Sequence, residues 1–415
     1  MRNMRTAILA ICCAGGALAQ NALTWEQVKA KFEAANPNLK AGQLNIQESK
    51  AQEITAYLRP NPNFTGILDQ LDFFSGNPYR PFGYTLPLIS FDYLHERQHK
   101  RELRLESAQQ GTGIAESQQL DLERNLLFNL RTAFVQTLQA KSLLANAKDN
   151  LDYFDKELAI SRDRFKAGDI ARVDLDRLAL QRVQYESDLQ TAQVNLRIAK
   201  ITMLMLLNDR TPVDRFDVTG PFEFQQQILP LEEFRSAALN SRPDLKAAMQ
   251  AVQKAETDHR LAVANGSTDP TFSADFGRNP PIPVYMGVSV NIPLRIFDRN
   301  QGEKARTQID ITHAERQQDA QRAQVFNDVD SAYYTVLSNV ELLRPYVGQD
   351  GYLQTAVRIR DTISFSYQHG QAALVDYLDA QRDYRATEVA YVNLLGAYLQ
   401  AANQLNLAVG REAIR

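Results

Sequence analysis

The chain repeats itself, and the repeat limits what it can fold into. LTWEQVKAKFEAANPNL from Leu23 returns as LPLEEFRSAALNSRPDL from Leu229, matching Glu26 with Glu232, Pro37 with Pro243 and Leu39 with Leu245, 206 residues on. At the same offset YTLPLISFDYLHER matches VNIPLRIFDRNQGE, pairing Pro87, Leu88, Phe91 and Asp92 with Pro293, Leu294, Phe297 and Asp298. RFKAGDIARVDLDRLALQ then matches SYQHGQAALVDYLDAQRD, with Gly168 against Gly370 and Asp174 against Asp376. Three matched blocks in one order imply a duplicated unit, with a period far longer than that of a solenoid.

Within each copy the periodicities change in a fixed sequence. Trp25 to about Tyr57 carries apolar residues at helical steps, and Pro60-Asn61-Pro62-Asn63 then breaks the pattern. Two short segments follow, clearest in the second copy. Thr271 to Phe276 alternates, and after Pro280-Pro281 the stretch VYMGVSVNI puts Val284, Met286, Val288, Val290 and Ile292 on one face, with Tyr285, Gly287, Ser289 and Asn291 on the other. Strict alternation predicts strands. One apolar and one small or polar face also suits a membrane barrel with an aqueous lumen.

Helical runs of about 70 residues come next, Leu94 to Phe165 and Arg299 to Tyr367, each roughly 105 Å long at 1.5 Å per residue. No compact globule accommodates such lengths. Leu120, Leu127, Leu130, Phe134 and Leu138 recur at sevens, threes and fours, as in helices packed side by side. Gly111, Gly113 and the Pro345 to Gly351 stretch are expected to bend or break the runs. Each ends at a hairpin-tip turn, Gly168 or Gly370, and returns as a helix of about 35 residues to Asn208 or Gly410. The domain plan is a signal peptide at 1–19, a first repeat at 20–208, a linker at 209–228, a second repeat at 229–410 and a tail at 411–415.

Arg2 and Arg5 followed by the apolar run Ala7 to Leu18 and Ala17-Leu18-Ala19 read as a secretory signal. Both cysteines, Cys12 and Cys13, fall inside it, and lipidation of either is left open. The remaining chain has no cysteine for a disulfide or thiolate metal site. A net charge of −3 with dispersed signs gives no nucleic-acid footprint. After the signal no apolar run is long enough for a transmembrane helix, so a membrane crossing has to be made of strands. Four strands cannot close a barrel, and an open edge cannot sit in lipid. Eight strands from a dimer and twelve from a trimer both satisfy the arithmetic.

One motif points elsewhere. His95-Glu96-x-x-His99 has zinc-peptidase spacing, with the glutamate as base for a metal-bound water. Its repeat counterparts are Gln301, Gly302 and Ala305, and Glu102 and Leu105 stand where the extended pattern needs glycine and histidine. The motif reads better as polar, partly basic cover where a strand leaves the membrane. A zinc metallopeptidase and a soluble periplasmic coiled-coil scaffold are the alternatives. No other enzyme signature occurs, and no cofactor or metal site is expected.

The duplicated plan, the P-L-x-x-F-D strand ends and the glycine turn before V-D-Y-L-D-A-Q-R resemble the TolC family of outer membrane efflux channels. RFKAGDIARVDLDRLALQ and PLRIFDRNQGEKAR are similar to its heavy-metal efflux (CzcC-like) members. The resemblance implies a mainly α fold with a β membrane portion: long helical hairpins in a periplasmic α-barrel, and four strands per chain in a twelve-stranded trimeric barrel in outer membrane lipid. It implies docking on a periplasmic adaptor and an inner membrane RND-type pump. It also implies a periplasmic gate, with Asp376 and Asp379 matching ring aspartates that bind cations, Tyr367 matching the tyrosine three before the second turn glycine, and Asp174 matching its link partner. Ala372 stands where some members carry an arginine, which implies a looser or differently linked gate. Substrate choice in such systems belongs to the pump.

Overall fold

The computed structural model describes residues 22–71, 73–74, 78–225, 228–279 and 281–414. The expected signal, with Cys12 and Cys13, lies outside the described residues. The first copy runs α1 (Trp25–Ala35), α2 (Pro37–Tyr57), β1 (Asn63–Asp69), β2 (Leu86–Leu94), α3 (Lys100–Ala167) and α4 (Arg172–Leu206). The second runs α5 (Leu231–Ser241), α6 (Pro243–Asn265), β3 (Thr271–Asn279), β4 (Ile282–Asn291), α7 (Gln301–Leu343), α8 (Tyr352–Gln368) and α9 (Leu374–Val409). The fold is mainly helical, and among the described residues no helix is long and apolar enough to cross a membrane.

The opening helical stretch of each copy, expected to be continuous at Trp25 to Tyr57, is two helices. Pro37 and Pro243 stand first in α2 and α6, where the missing amide hydrogen costs nothing, and each pushes its preceding residue into extended backbone. Thr24 starts α1 with a reciprocal capping box to Gln27. The long second-copy run breaks where expected, between Leu343 and Tyr352.

Gly111 and Gly113 do not break α3, contrary to expectation. A Cβ on Gly113 would lie 3.2 Å from Gln250 Nε2 on α6. These glycines serve close helix approach, and tertiary packing offsets their poor helix propensity. The second repeat block also hides a difference. Pro87 to Asp92 is inside β2, whereas Pro293 to Asp298 follows the end of β4, so the two copies leave the sheet through connections of unequal length.

The chain divides into two compact units, one of Met1–Asn36, Asn129–Gln226 and Asn339–Gln400, the other of Pro37–Phe128, Gln227–Ser338 and Ala401–Arg415. The first is cored by Val28, Phe32, Leu130 and Phe134, with Trp25 edge-on to Phe134 at 5.6 Å. A parallel bridge ties Leu23 to Val218, and Lys141 Nζ donates to Asp217 at 2.8 Å and to the Val218 carbonyl at 2.7 Å. The second unit contains the sheet and a buried guanidinium. Arg242 donates to Asp244, to Asp328 at 2.8 Å and to the Ala408 carbonyl at 3.3 Å, fastening the α5–α6 break to the end of α9.

Candidate functional site

The four strands form one antiparallel sheet in the order β1-β2-β3-β4. Its register sorts the side chains by face. Thr65, Ser90, Asp275 and Gly287 lie opposite one another across the sheet, as do Asn63, Asp92, Ser273 and Ser289. Ser273 Oγ donates to Asp92 at 2.5 Å, which joins two strands on this polar face. The other face carries Phe64, Phe91, Ala274 and Val288 in one row, with Phe272, Val290 and Met286 beside it. Val288 is 82 % exposed and Met286 78 % in the single chain. So much uncovered apolar surface is unstable in water and suited to lipid. Both β1 and β4 keep an edge without a strand partner among the described residues.

His95, Glu96 and His99 lie between β2 and α3, not on a helix, and His99 has a φ of +55°. The two imidazoles therefore do not share a helical face. Glu96 is engaged by Arg104, whose Nη1 and Nη2 reach its oxygens at 2.5 and 2.9 Å. Lys100, 4 % exposed, donates to Asp269 at 2.6 Å and to the Ser267 carbonyl at 3.0 Å. The motif belongs to a strand-to-helix clamp, and among the described residues no three His, Cys, Asp or Glu gather to hold a metal.

At the hairpin ends both turns have the same geometry. Gly168 and Gly370 have φ of +86° and +73°. Asp169 N bonds back to the Arg164 carbonyl at 2.9 Å, and Gln371 N to that of Ser366 at 2.8 Å, the six-to-one bond that closes a Schellman turn. Above the turns Phe154, Leu158, Leu178, Tyr185, Tyr367, Leu374 and Tyr377 form one buried cluster from α3, α4, α8 and α9. Tyr367 stacks on Tyr377 with centroids 5.0 Å apart, and Phe154 stacks on Tyr185 at 4.5 Å.

The four residues expected at a gate are not equivalent. Tyr367 is buried, and Arg164 both covers its ring at 5.1 Å and donates to its carbonyl at 2.7 Å. Burial pushes its phenol pKa up, and the Asp174 carboxylate adds to the shift while Arg164 opposes it. Asp174 is half-buried in the first turn of α4. Asp376 and Asp379 are both exposed on α9. Asp376 Oδ2 accepts from Ala373 N at 3.3 Å as a helix cap, and Asp379 pairs with Arg382 at 3.1 Å. Tyr367 thus belongs to a link inside the chain with Arg164, and the α9 acids face solvent. Sequence reasoning missed Arg164 and Glu157. Glu157 occupies an apolar stripe position three residues after Phe154, and an acid in such a stripe was the available signal.

A family model described as outer membrane efflux protein matches residues 234–411. The cobalt-zinc-cadmium resistance protein CzcC of Cupriavidus metallidurans is 22 % identical over 402 residues, 94 % of this chain and 90 % of the relative. The second repeat of this chain thus carries an outer membrane efflux protein domain. Outer membrane protein TolC of Escherichia coli is 21 % identical over 307 residues, 69 % of this chain and 61 % of TolC. The CusC structure superposes with a TM-score of 0.76 at 18 % identity, covering 93 % of this chain and 92 % of CusC. That of the outer-membrane channel OprN gives 0.75 at 17 %, covering 93 % and 89 %. The long hairpins and the four-stranded sheet of this chain thus share the fold of these solved structures.

Proposed function

We propose that three copies close a twelve-stranded barrel in the outer membrane, and that the channel is the exit duct of a tripartite efflux system. The observation that carries this is the two-faced, four-stranded sheet with a free edge at each side. Its apolar face needs lipid, its polar face needs water, and lipid tolerates neither edge. Twelve strands enclose an aqueous passage, while eight leave an interior that side chains fill. A periplasmic adaptor and an inner membrane RND-type pump supply cargo and direction, and the duct passes it to the exterior. The cargo favoured is a divalent heavy-metal ion, because the relative matched over most of both chains is named for cobalt, zinc and cadmium resistance. The mass of the particle extracted from outer membranes in mild detergent, corrected for bound detergent, tests the assembly. A trimer is expected, and a monomer or dimer overturns the reading.

The hairpin ends are the periplasmic gate of this reading. Three copies of Asp376 and Asp379, already exposed, bring like charges together and attract cations. Block of conductance by a multivalent cation should weaken in Asp376→Ala and Asp379→Ala channels, and an unchanged block would sink the ring assignment. Tyr367 acts in the same gate through Arg164, the side chain that ties the end of α3 to the end of α8, with Asp174 beside it and Ala372 in the turn before α9 where some relatives carry an arginine.

A further inference from the structure

Glu157 is an acid placed where a solvated acid does not belong. It is 6 % exposed on α3, between Phe154 and Leu158 of the apolar cluster. Its Oε1 accepts from Gln368 Nε2 at 2.6 Å, a bond that crosses from the α3–α4 hairpin to the α8–α9 hairpin. Its Oε2 is buried with no hydrogen-bond partner among the described residues. The same holds for the Tyr377 hydroxyl and for Gln381 Nε2 one turn further along α9.

No cation compensates it. The titratable and charged groups around the cluster are Tyr153 and Arg164 from α3, Asp174, Tyr185 and Asp188 from α4, Arg360 and Tyr367 from α8, and Tyr377 and Arg385 from α9. Arg385 lies over Tyr185 and pairs with Asp188, and Arg360 lies over Tyr153 and pairs with Asp361. Burial pushes the pKa of Tyr185 to about 12 and raises those of Tyr367 and Tyr377, so all three are neutral at physiological pH. Arg164 is committed to Tyr367, with the charge of Asp174 nearby. An ionised Glu157 would be a buried carboxylate with only neutral groups, the Gln368 amide and the Ser364 hydroxyl, beside it, a costly arrangement.

We propose that Glu157 is a pH-sensitive joint between the two hairpins: protonated, it lets the ends of α3 and α8 pack together, and ionised, it draws in water and loosens them. Burial raises its pKa above the usual 4.5, opposed in part by the Gln368 amide and the nearby Ser364 hydroxyl. An acid whose packed-state pKa lies above its open-state value stabilises the packed state fully below the open-state value. That stability falls as pH rises through the window above 4.5. Acid therefore joins the hairpin ends and rising pH separates them. The effect on conduction rests on the gate reading, but the joint does not.

The test is hydrogen exchange of the full chain in mild detergent between about pH 5 and pH 8, corrected for the chemical rate. Protection of residues 153–168 and 360–381 should fall as pH rises, by up to about tenfold per pH unit inside the window. Glu157→Gln keeps the shape without the titration, so its corrected profile should be flat. Gln368→Leu removes the donor that favours the charge, so its fall should start at the same pH and extend to higher pH, and this variant decides if the first does not fold. A flat wild-type profile, or a Glu157→Gln profile with the wild-type slope, would overturn the joint. Conductance of the same channels separates the two ideas: exchange that follows pH while conductance does not leaves the joint standing and removes the gate.

Discussion

Single residues decide where the long helices stop. Nothing lies within 4 Å of a Cβ built on Gly168 or Gly370, so the only demand on either position is its left-handed backbone. Alanine there costs roughly 1–2 kcal/mol. Amide exchange across residues 366–374 of Gly370→Ala should accordingly speed up by about five- to thirtyfold, and an unchanged rate would mean the turn is held by something other than its own geometry. Both glycines were legible because a glycine between a helical run and an acid-led return has few other uses. Tyr367 was legible as a position but not as a contact. Its burial under Arg164 depends on two hairpins meeting, which no local pattern encodes.

Elements were readable to the degree that their neighbours are local. The strands of the second copy announced themselves because alternation is written into one segment, whereas β1 is a short strand and its face is set by pairing with β2. Gly111 and Gly113 misled for the same reason. Their effect on α3 is decided by α6, far away in sequence, and propensity lost to packing. The face assignment gives a paired prediction. Val288→Arg puts a cation on the apolar face at a cost of roughly 2–4 kcal/mol near mid-membrane. Ser289→Arg, one residue on, points to the polar face and should spare insertion while narrowing the lumen. Membrane-extracted trimer should drop sharply in the first variant and persist in the second with reduced conductance. Equal yields would mean that the faces are reversed or that neither meets lipid.

For the whole molecule, duplication explains why one chain carries two similar hairpins and two similar strand pairs that nonetheless do different work. Only the second copy breaks its long helix, at Pro345, and only the first has the Arg104 to Glu96 clamp where its strand turns into helix. The zinc-like motif is a by-product of that difference, its acid already neutralised by a guanidinium. The two uncovered edges carry a further consequence. In the proposed trimer β1 of one copy pairs with β4 of the next, so the contact is head-to-tail, and a head-to-tail contact contains no instruction to stop. The same surfaces that seal a ring would, on a flatter sheet, build an open filament. Sheet curvature is therefore what counts the subunits, and an error in it appears as the wrong copy number rather than as a weaker bond.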